Sequence, residues 1–247
     1  MSASRKETEG TKIVRQLRLE IFFGRLQPGQ ILSQEEMCAR FETSRMPVRD
    51  ALLQLAHEGL LERLSGHRLR VVRLERIDFL DMIWIEAMVH ALAVKRATER
   101  HRGDVGAFAE LMIIQQQMRM YLASGDMNRA SKLKGTFHRS INRMSESPKL
   151  ISTLRSVTLG IQYDFMFIVP GWLDRSVRDQ EAVLEAMMNG DAETAAKLMY
   201  EHLQASASMI ANVLVSSQGA AATTPPAGFT AALGALDDTP PDTSWAG

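Results

Sequence analysis

Apolar residues recur at helical spacing along most of the chain, and this pattern predicts a mainly α protein. Near the N-terminus, Ile13, Leu17 and Ile21 lie four residues apart and therefore share one face of a helix. Gly24 and the pair at 28–29, a proline followed by a glycine, end this periodic segment. The first predicted helix therefore lies just before these residues.

Two further short helices follow in the next thirty residues. Ser33 and Glu36 have the spacing of a capping box, in which each side chain bonds a free backbone N–H at the helix start. A third helix is predicted from Ser44 as N-cap, with Pro47 in the first turn, where a missing N–H does no harm. Gly59 ends this third helix.

Residues 61–64 and 69–72 read as two short strands of a hairpin. Three helices followed by a hairpin is the element order of a winged helix-turn-helix. The pattern predicts this domain over residues 11–74, after a flexible N-terminus at residues 1–10.

The pattern of residues 75–217 is helical throughout, whereas residues 218–247 are rich in Ala, Thr and Pro and are predicted to be disordered. Breaks at glycine and proline divide the helical part into six predicted helices. These are residues 77–101, 104–123, 126–145, 148–168, 174–189 and 191–216.

Charge is distributed unequally although the chain has a formal net charge of zero. Residues 1–74 hold 13 Lys and Arg against 9 Asp and Glu, whereas residues 75–247 hold 16 against 20. The basic excess therefore coincides with the predicted winged helix, as expected for a domain that binds DNA.

The remaining composition points to an intracellular protein. Cys38 is the only cysteine, which excludes an internal disulfide framework, suits a reducing compartment, and makes a small buried apolar residue the expected role. The first ten residues contain no apolar signal segment, and the apolar stretch at 165–169 is too short to cross a bilayer. We expect a cytoplasmic protein without a membrane partner.

The start of the third helix carries the residues best suited to read DNA. Arg45 and Arg49 lie one turn apart on the same face, and arginine pairs with guanine O6 and N7 or with phosphate. Ser44, Thr43 and the free N–H groups at the helix start are expected to bind backbone phosphates. From the residues alone, the alternative of two solvated surface charges stays open.

The tip of the hairpin supplies a second candidate contact. Gly66 and His67 are expected to reach the minor groove or the flanking phosphates, with Arg68 and Arg70 beside them.

Residues 13–63 resemble the GntR family of bacterial regulators. The resemblance is carried by Val14-Arg15-Gln16-Leu17, Gly24-Arg25-Leu26-Gln27-Pro28-Gly29, Leu32-Ser33-Gln34-Glu35-Glu36, Ser44-Arg45-Met46-Pro47-Val48-Arg49-Asp50-Ala51-Leu52 and Glu58-Gly59-Leu60-Leu61-Glu62-Arg63. It implies that Arg45 and Arg49 contact an operator and that Gly66 lies at the wing tip. The wing departs from the family pattern because it lacks the usual Asn-Arg-Gly.

The helical remainder resembles the FadR-type C-terminal domain. This resemblance is carried by Phe137-His138-Arg139-Ser140-Ile141, Val183-Leu184-Glu185-Ala186-Met187-Met188-Asn189-Gly190-Asp191-Ala192-Glu193 and Glu201-His202-Leu203. It implies an all-α bundle of six or seven helices that forms a homodimer and binds a small-molecule effector in its centre.

Many FadR-type members bind a divalent metal through one aspartate and three histidines. The corresponding positions here are Lys134, His138, Gln180 and His202, so two of the four ligands are replaced. A cationic lysine repels a metal ion, and we therefore expect neither a metal nor another cofactor. If a divalent metal is bound after all, His138 and His202 are the remaining candidate ligands.

Two residues of the first long helix complete the candidate effector pocket. Glu86 stands where the family often has arginine, and His90 follows one turn later. We hypothesise that a salt bridge between Lys134 and Glu86 replaces the metal. Two alternatives stay open: a rebuilt metal site using Glu86, His90, His138 and His202, or ordinary hydrogen-bonded core residues. An apolar, metal-free pocket would favour a hydrophobic or aromatic effector.

Together these observations predict a metabolite-responsive repressor that binds a short palindromic operator as a dimer, with activation left open. One competing class is a metal-dependent enzyme built on the helical bundle. The sequence shows no Glu-x-x-His pair, glycine-rich phosphate loop or nucleophile motif for it, so we expect no enzyme. The other is a protein interaction module that has lost DNA binding, against which the presence of both Arg45 and Arg49 argues.

Overall fold

The computed structural model describes residues 8–22, 24–65, 68–73, 75–157 and 169–219. The chain divides into two compact units, with the boundary between Arg76 and Ile77. The second unit extends to Val213.

The first unit contains three helices and a small sheet. The helices are α1 (Glu9–Phe22), α2 (Gln34–Arg40) and α3 (Arg45–His57), and the strands are β1 (Ile31–Ser33), β2 (Leu61–Arg63) and β3 (Arg68–Val71). The three predicted helices are therefore present in this unit, in the element order of a winged helix-turn-helix.

The predicted sheet of two strands is wrong in the number of strands, because a third strand is present and the strand order is β1-β3-β2. The additional strand, β1, pairs antiparallel with β3, with Leu32 opposite Leu69. A strand of three residues shows too little alternation to be recognised from sequence, and its partner lies far along the chain. Pairing with β1 places β3 at the centre of the sheet.

Local signals explain where the helices of this unit begin and end. The predicted capping box at α2 is observed, with Ser33 Oγ accepting from Glu36 N at 3.1 Å and the Glu36 carboxylate accepting from Ser33 N at 3.1 Å. Gly59, with φ of 74°, turns the chain after α3, because glycine adopts this left-handed conformation without a steric penalty.

The core of the first unit joins α1, α3 and the sheet. Leu17, Val48, Leu55 and Leu32 are almost completely buried. A buried ion pair adds to this packing, since the Arg18 guanidinium donates to both carboxylate oxygens of Glu58, at 2.7 Å from Nη2 and 3.0 Å from Nε. This pair links α1 to the end of α3.

The second unit consists of helices alone within the part of the chain that the structure describes. They are α4 (Arg76–Arg100), a short 3-10 helix (Val105–Phe108), α5 (Ala109–Ala123), α6 (Met127–Met144), α7 (Pro148–Val157), α8 (Trp172–Met188) and α9 (Ala192–Gly219). The predicted helix at 104–123 thus begins as a 3-10 turn. Of the predicted helix at 148–168, residues 158–168 lie outside the described residues.

Aspartates cap three helix starts in this unit. Asp104, Asp126 and Asp191 each accept a hydrogen bond from the backbone N–H three residues later. Apolar side chains from α4, α5, α6, α8 and α9, among them Phe137 and Met187, form one buried cluster. A group of buried polar side chains also lies among these helices.

The Arg18–Glu58 pair gives a first prediction. Arg18→Met leaves the Glu58 carboxylate largely buried without its bidentate partner, and we expect a loss of about 2–4 kcal/mol in the stability of this unit. Hydrogen exchange of peptides that cover α1 and α3 measures this loss of stability locally. Arg70→Met, which removes an exposed pair with Glu62, is the matched control and should change exchange little. Equal protection in Arg18→Met and wild type would contradict the prediction.

Candidate functional site

The N-terminal turns of α3 present an exposed, positively charged face. Arg45, Met46 and Arg49 are exposed, with Met46 retaining 72% of its surface, while Val48 and Leu52 on the opposite face are buried. The guanidinium groups of Arg45 and Arg49 make no hydrogen bond or ion pair with any residue that the structure describes. Both are therefore available to an external anion or base edge.

The first turn of α3 is held in place by α2. Gln34 Nε2 donates to the Arg45 carbonyl oxygen at 2.8 Å, and Pro47 is half-buried. At the other end, Glu58 is bound by Arg18 as described above. A helix anchored at both ends presents its arginines in a defined geometry, which base recognition requires.

The prediction that Ser44 is the N-cap residue of α3 is confirmed. Ser44 occupies the N-cap position with extended backbone, but its hydroxyl accepts no hydrogen bond from the helix. Thr43 is half-buried, and its N–H donates to the Cys38 carbonyl at 3.2 Å. Cys38 itself is half-buried rather than buried. Phosphate binding by Ser44 and Thr43 stays a prediction.

The wing is described only in part. Gly66 and His67, the predicted tip contacts, lie outside the described residues. Arg70 is bound to Glu62 across the β2–β3 pair, at 2.7 Å from Nη2 to Oε2, and Arg68 Nε is 3.4 Å from the Ser65 carbonyl oxygen. Because the Arg70 pair is exposed, its contribution to stability is small and a phosphate could compete for the guanidinium.

In the second unit, the structure brings the six predicted pocket residues together. They come from four helices and are all nearly or fully buried. These residues are Glu86 and His90 of α4, Lys134 and His138 of α6, Gln180 of α8, and His202 of α9. We call this group, together with Asp179 and Trp172 of α8, the polar cluster.

Lys134 lies at the middle of the polar cluster with no exposed surface. Its Nζ is 3.4 Å from His138 Nε2 and 4.9 Å from the centre of the Trp172 ring. Burial lowers the pKa of Lys134 to about 8, although the negative charges of Glu86 and Asp179 raise it. At neutral pH most molecules therefore carry a buried ammonium group, and the hypothesised Lys134–Glu86 interaction is supported as an electrostatic attraction.

The histidines of the polar cluster pack around this ammonium group. The His138 ring stacks on His202 at 5.6 Å between centroids and meets His90 edge-on at 5.1 Å. Burial and the charge of Lys134 lower the pKa of His138 far below its ordinary value and that of His202 to about 4. The rings of His138 and His202 are therefore neutral at pH 7.

Asp179 orients the ring of His202. Its carboxylate accepts from His202 Nδ1 at 3.2 Å and also bonds Arg175 at 3.3 Å. Burial raises the pKa of Asp179, but the hydrogen bond from His202 and the charge of Arg175 outweigh this, so the pKa lies below its ordinary value. Asp179 therefore stays ionised and supplies negative charge next to Lys134.

The polar cluster does not fit a divalent metal ion. His138 Nε2, the atom that faces the cluster, is already approached by Lys134 Nζ and by Gln180 Nε2, which lies 3.1 Å away. Among the described residues, no group of three or more His, Cys, Asp or Glu side chains is arranged to hold a metal. These contacts disfavour the rebuilt site of Glu86, His90, His138 and His202, while metal-free function stays a prediction.

Sequence reasoning did not identify Trp172, Ser176 and Asp179. Trp172, Ser176 and Gln180 follow one another at intervals of four residues and so lie on one face of α8. This spacing before Gln180 is the sequence signal that indicates Trp172 and Ser176, whereas Asp179 directly precedes Gln180 and has no such signal. Met46 was also missed as part of the exposed α3 face, because a single exposed methionine has no pattern in the sequence.

Family comparisons match both units. The model described as bacterial regulatory proteins, gntR family, matches residues 10–71, and the FCD domain model matches residues 81–205, half of the chain. The chain belongs to the GntR family, in its FadR-type branch. It is thus a DNA-binding transcription regulator whose second unit is an effector-binding FCD domain.

Curated relatives of this GntR-family regulator are themselves regulators. It is 28% identical over 216 residues to a probable D-xylose utilization operon repressor of Paenarthrobacter nicotinovorans, covering 83% of this chain and 92% of the relative. The gluconate operon repressor of Bacillus subtilis is 31% identical over 110 residues, covering 43% of this chain and 45% of the relative. The repressor RspR of Escherichia coli is 22% identical, with 78% and 85% covered.

Solved structures share the fold. McbR/YncC of E. coli superposes with a TM-score of 0.60 at 19% identity, covering 82% of this chain and 97% of that one. The Lar protein of Listeria monocytogenes superposes with a TM-score of 0.58 at 15% identity, covering 85% and 99%. Within the described residues, no helix combines the length and apolar character needed to span a membrane.

The buried histidines of this GntR-family regulator predict a loss of stability in mild acid. Below about pH 6.5 the unfolded chain takes up protons on His138 and His202, while the folded state takes up none until its lower pKa is reached, about 4 for His202. The free energy of unfolding should therefore fall with decreasing pH, by up to about 1.4 kcal/mol per pH unit for each ring. Denaturation of the full chain at several pH values between 7.5 and 5 measures this change in the free energy of unfolding.

A single substitution tests the origin of this slope. His202→Asn removes one of the two shifted rings and should make the pH dependence shallower, whatever its effect on stability at pH 7.5. His57→Gln, on the exposed end of α3, is the control and should keep the wild-type slope. An unchanged slope in His202→Asn would contradict the assignment.

Proposed function

We propose that this regulator is a repressor that binds a short palindromic operator as a homodimer and is released by a small-molecule effector held in the polar cluster. The observation that carries the DNA part is the exposed start of α3, where Arg45 and Arg49 lack internal partners among the described residues. Because its target is chromosomal DNA, the proposal also places the protein in the cytoplasm and gives it no enzymatic role.

The two arginines suit direct readout of bases. They lie one helical turn apart on the exposed face of α3 and next to Met46, whose thioether side chain can contact a thymine methyl group. A buried ion pair and the Gln34 contact limit movement of the helix. A single helix reads only a few base pairs, so useful specificity requires two copies related by two-fold symmetry.

The proposed homodimer uses an exposed apolar face of α4. Ile85, Met88 and Leu92 retain 47%, 55% and 41% of their surface and follow the spacing i, i+3, i+7, which aligns them on one side of the helix. A second copy of the chain is the occupant we propose, since a palindromic operator requires two copies and a two-fold axis makes the same face meet itself.

The effector part of the proposal rests on the polar cluster. Charged and polar groups inside a helical bundle lower stability unless they are compensated, so their concentration at one place indicates a functional role. Two of the relatives are repressors of xylose and gluconate operons, which supports an effector of metabolic origin. Effector binding would favour a bundle arrangement that no longer matches the spacing of the operator half-sites.

Substitution of the two arginines tests DNA binding. Arg45→Ala and Arg49→Ala should each raise the operator Kd by about 5- to 100-fold, because each removes about 1–3 kcal/mol of base or phosphate contact. Fluorescence anisotropy with the region upstream of the protein's own gene measures the Kd at several salt concentrations. Arg129→Ala, an exposed arginine of α6, is the control. Wild-type affinity and salt dependence in the double alanine variant would exclude this mode of binding.

The oligomeric state of the protein tests the proposed role of the α4 face. Met88→Glu places two carboxylates against each other across the two-fold axis and should convert the dimer to a monomer, because like charges would be desolvated together. Light scattering after size exclusion measures the mass. The control Met46→Glu changes a still more exposed methionine, on α3, and should leave the dimer intact. A dimeric Met88→Glu protein would place the interface elsewhere.

A further inference from the structure

The hydrogen bonds around His138 determine which of its nitrogens carries the proton. A lysine ammonium can only donate, so His138 Nε2, 3.4 Å from Lys134 Nζ, must be the acceptor and Nδ1 must carry the hydrogen. The Gln180 amide, 3.1 Å from the same Nε2, must then present its NH₂ group to it. This arrangement leaves His138 Nδ1–H and Gln180 Oε1 without hydrogen-bond partners among the described residues.

The same reasoning applies to the other two histidines. His202 Nδ1 faces the ionised carboxylate of Asp179, so Nδ1 is the donor and Nε2 carries a lone pair. His90 Nε2 lies 3.4 Å from Glu86 Oε1 and therefore carries a hydrogen. His202 Nε2, which keeps its lone pair, and His90 Nδ1 both lack hydrogen-bond partners within the described part of the chain.

The unmet groups therefore include both acceptors and a donor. Gln180 Oε1 and His202 Nε2 are acceptors, His138 Nδ1–H is a donor, and His90 Nδ1 is a fourth atom without a partner among the described residues. Ser176 lies one turn before Gln180 on the same face of α8, and its hydroxyl, which can donate and accept, is also unpaired among the described residues. Buried polar atoms are nearly always paired in folded proteins, so such a concentration indicates groups that bind a ligand.

The formal charges of the polar cluster are already matched. Lys134 is attracted by Glu86 and Asp179, and Asp179 is also bound to Arg175. A ligand that carried a full charge into this buried place would lack a dedicated counter-charge and would be disfavoured by desolvation.

We propose that the effector is a small, uncharged polyhydroxylated molecule, a sugar or polyol, bound by the unpaired atoms of Gln180, His202, His90 and His138. This inference rests on the proposed function of the polar cluster as the effector site. A hydroxyl can donate to Gln180 Oε1 or His202 Nε2 and can accept from His138 Nδ1–H, so one chemical group satisfies both kinds of unmet atom.

Other ligand classes fit these atoms less well. A carboxylate offers acceptors only and would face the acceptors on Gln180 and His202, and an aromatic hydrocarbon satisfies none of the four atoms. The earlier expectation of a hydrophobic or aromatic effector required an apolar pocket, and the polar cluster does not meet that condition.

Calorimetric titration of the full-length protein tests the ligand class. The neutral probes are D-xylose, D-ribose, xylitol and D-mannitol, and the competing classes are represented by D-gluconate, benzoate and zinc chloride. We expect saturable binding of at least one neutral probe and weaker or no binding of the others. The proposal would be overturned if only gluconate, benzoate or zinc bound to the protein. It would also be overturned if no neutral probe bound at concentrations up to about 50 mM.

Two variants connect this binding to the polar cluster. Gln180→Met keeps the side-chain length but removes the acceptor, and should weaken binding of the neutral probe about tenfold or more. Ser176→Ala is a smaller change that should weaken it in the same direction if Gln180→Met does not fold. Gln204→Met, which removes a glutamine bonded to the Tyr200 hydroxyl on α9, is the matched control. Wild-type affinity in both cluster variants would exclude the polar cluster as the binding site of the neutral probe.

Operator binding without any sugar separates this inference from the proposed function. If the unliganded wild type binds no operator, the proposed function fails whatever the titrations give. If it binds the operator and only a charged or aromatic probe saturates it, the regulator stands and the uncharged ligand class is wrong.

Discussion

A buried ammonium group is the constraint on which the arrangement of the helical unit depends. Lys134 has no exposed surface, and a charge in such a place requires compensation from its neighbours. Glu86 and Asp179 supply negative charge, His138 supplies a lone pair, and the Trp172 ring faces the ammonium group. Because these groups come from α4, α6 and α8, one lysine couples the positions of three helices.

The charge on Lys134 also controls the protons around it. Burial and this charge together hold the pKa values of His138 and His202 below their ordinary range, and the ammonium group assigns the hydrogen of His138 to Nδ1. The lysine is itself matched by the carboxylates of Glu86 and Asp179, so the polar cluster holds a side-chain cation together with its counter-charges.

The DNA-binding unit uses charge in the opposite way. Arg18 is buried against Glu58 and contributes to the position of α3, while Arg45 and Arg49 are exposed and lack internal partners among the described residues. Buried pairs with good geometry order a helix, and exposed cations remain available to DNA. The difference between these arginines is therefore one of environment, since all three lie on helices of the same small unit.

The sequence by itself determined the features that depend on neighbouring residues: the helices, the capping box of Ser33 and Glu36, and the one-turn spacing of Arg45 and Arg49. Resemblance to the family added the six residues of the pocket. Only the tertiary structure decided the pairing of β1 with β3, the contribution of Trp172 and Asp179, and the proton on His138 Nδ1. These depend on contacts between residues far apart in the chain, and local periodicity contains no information about such distances.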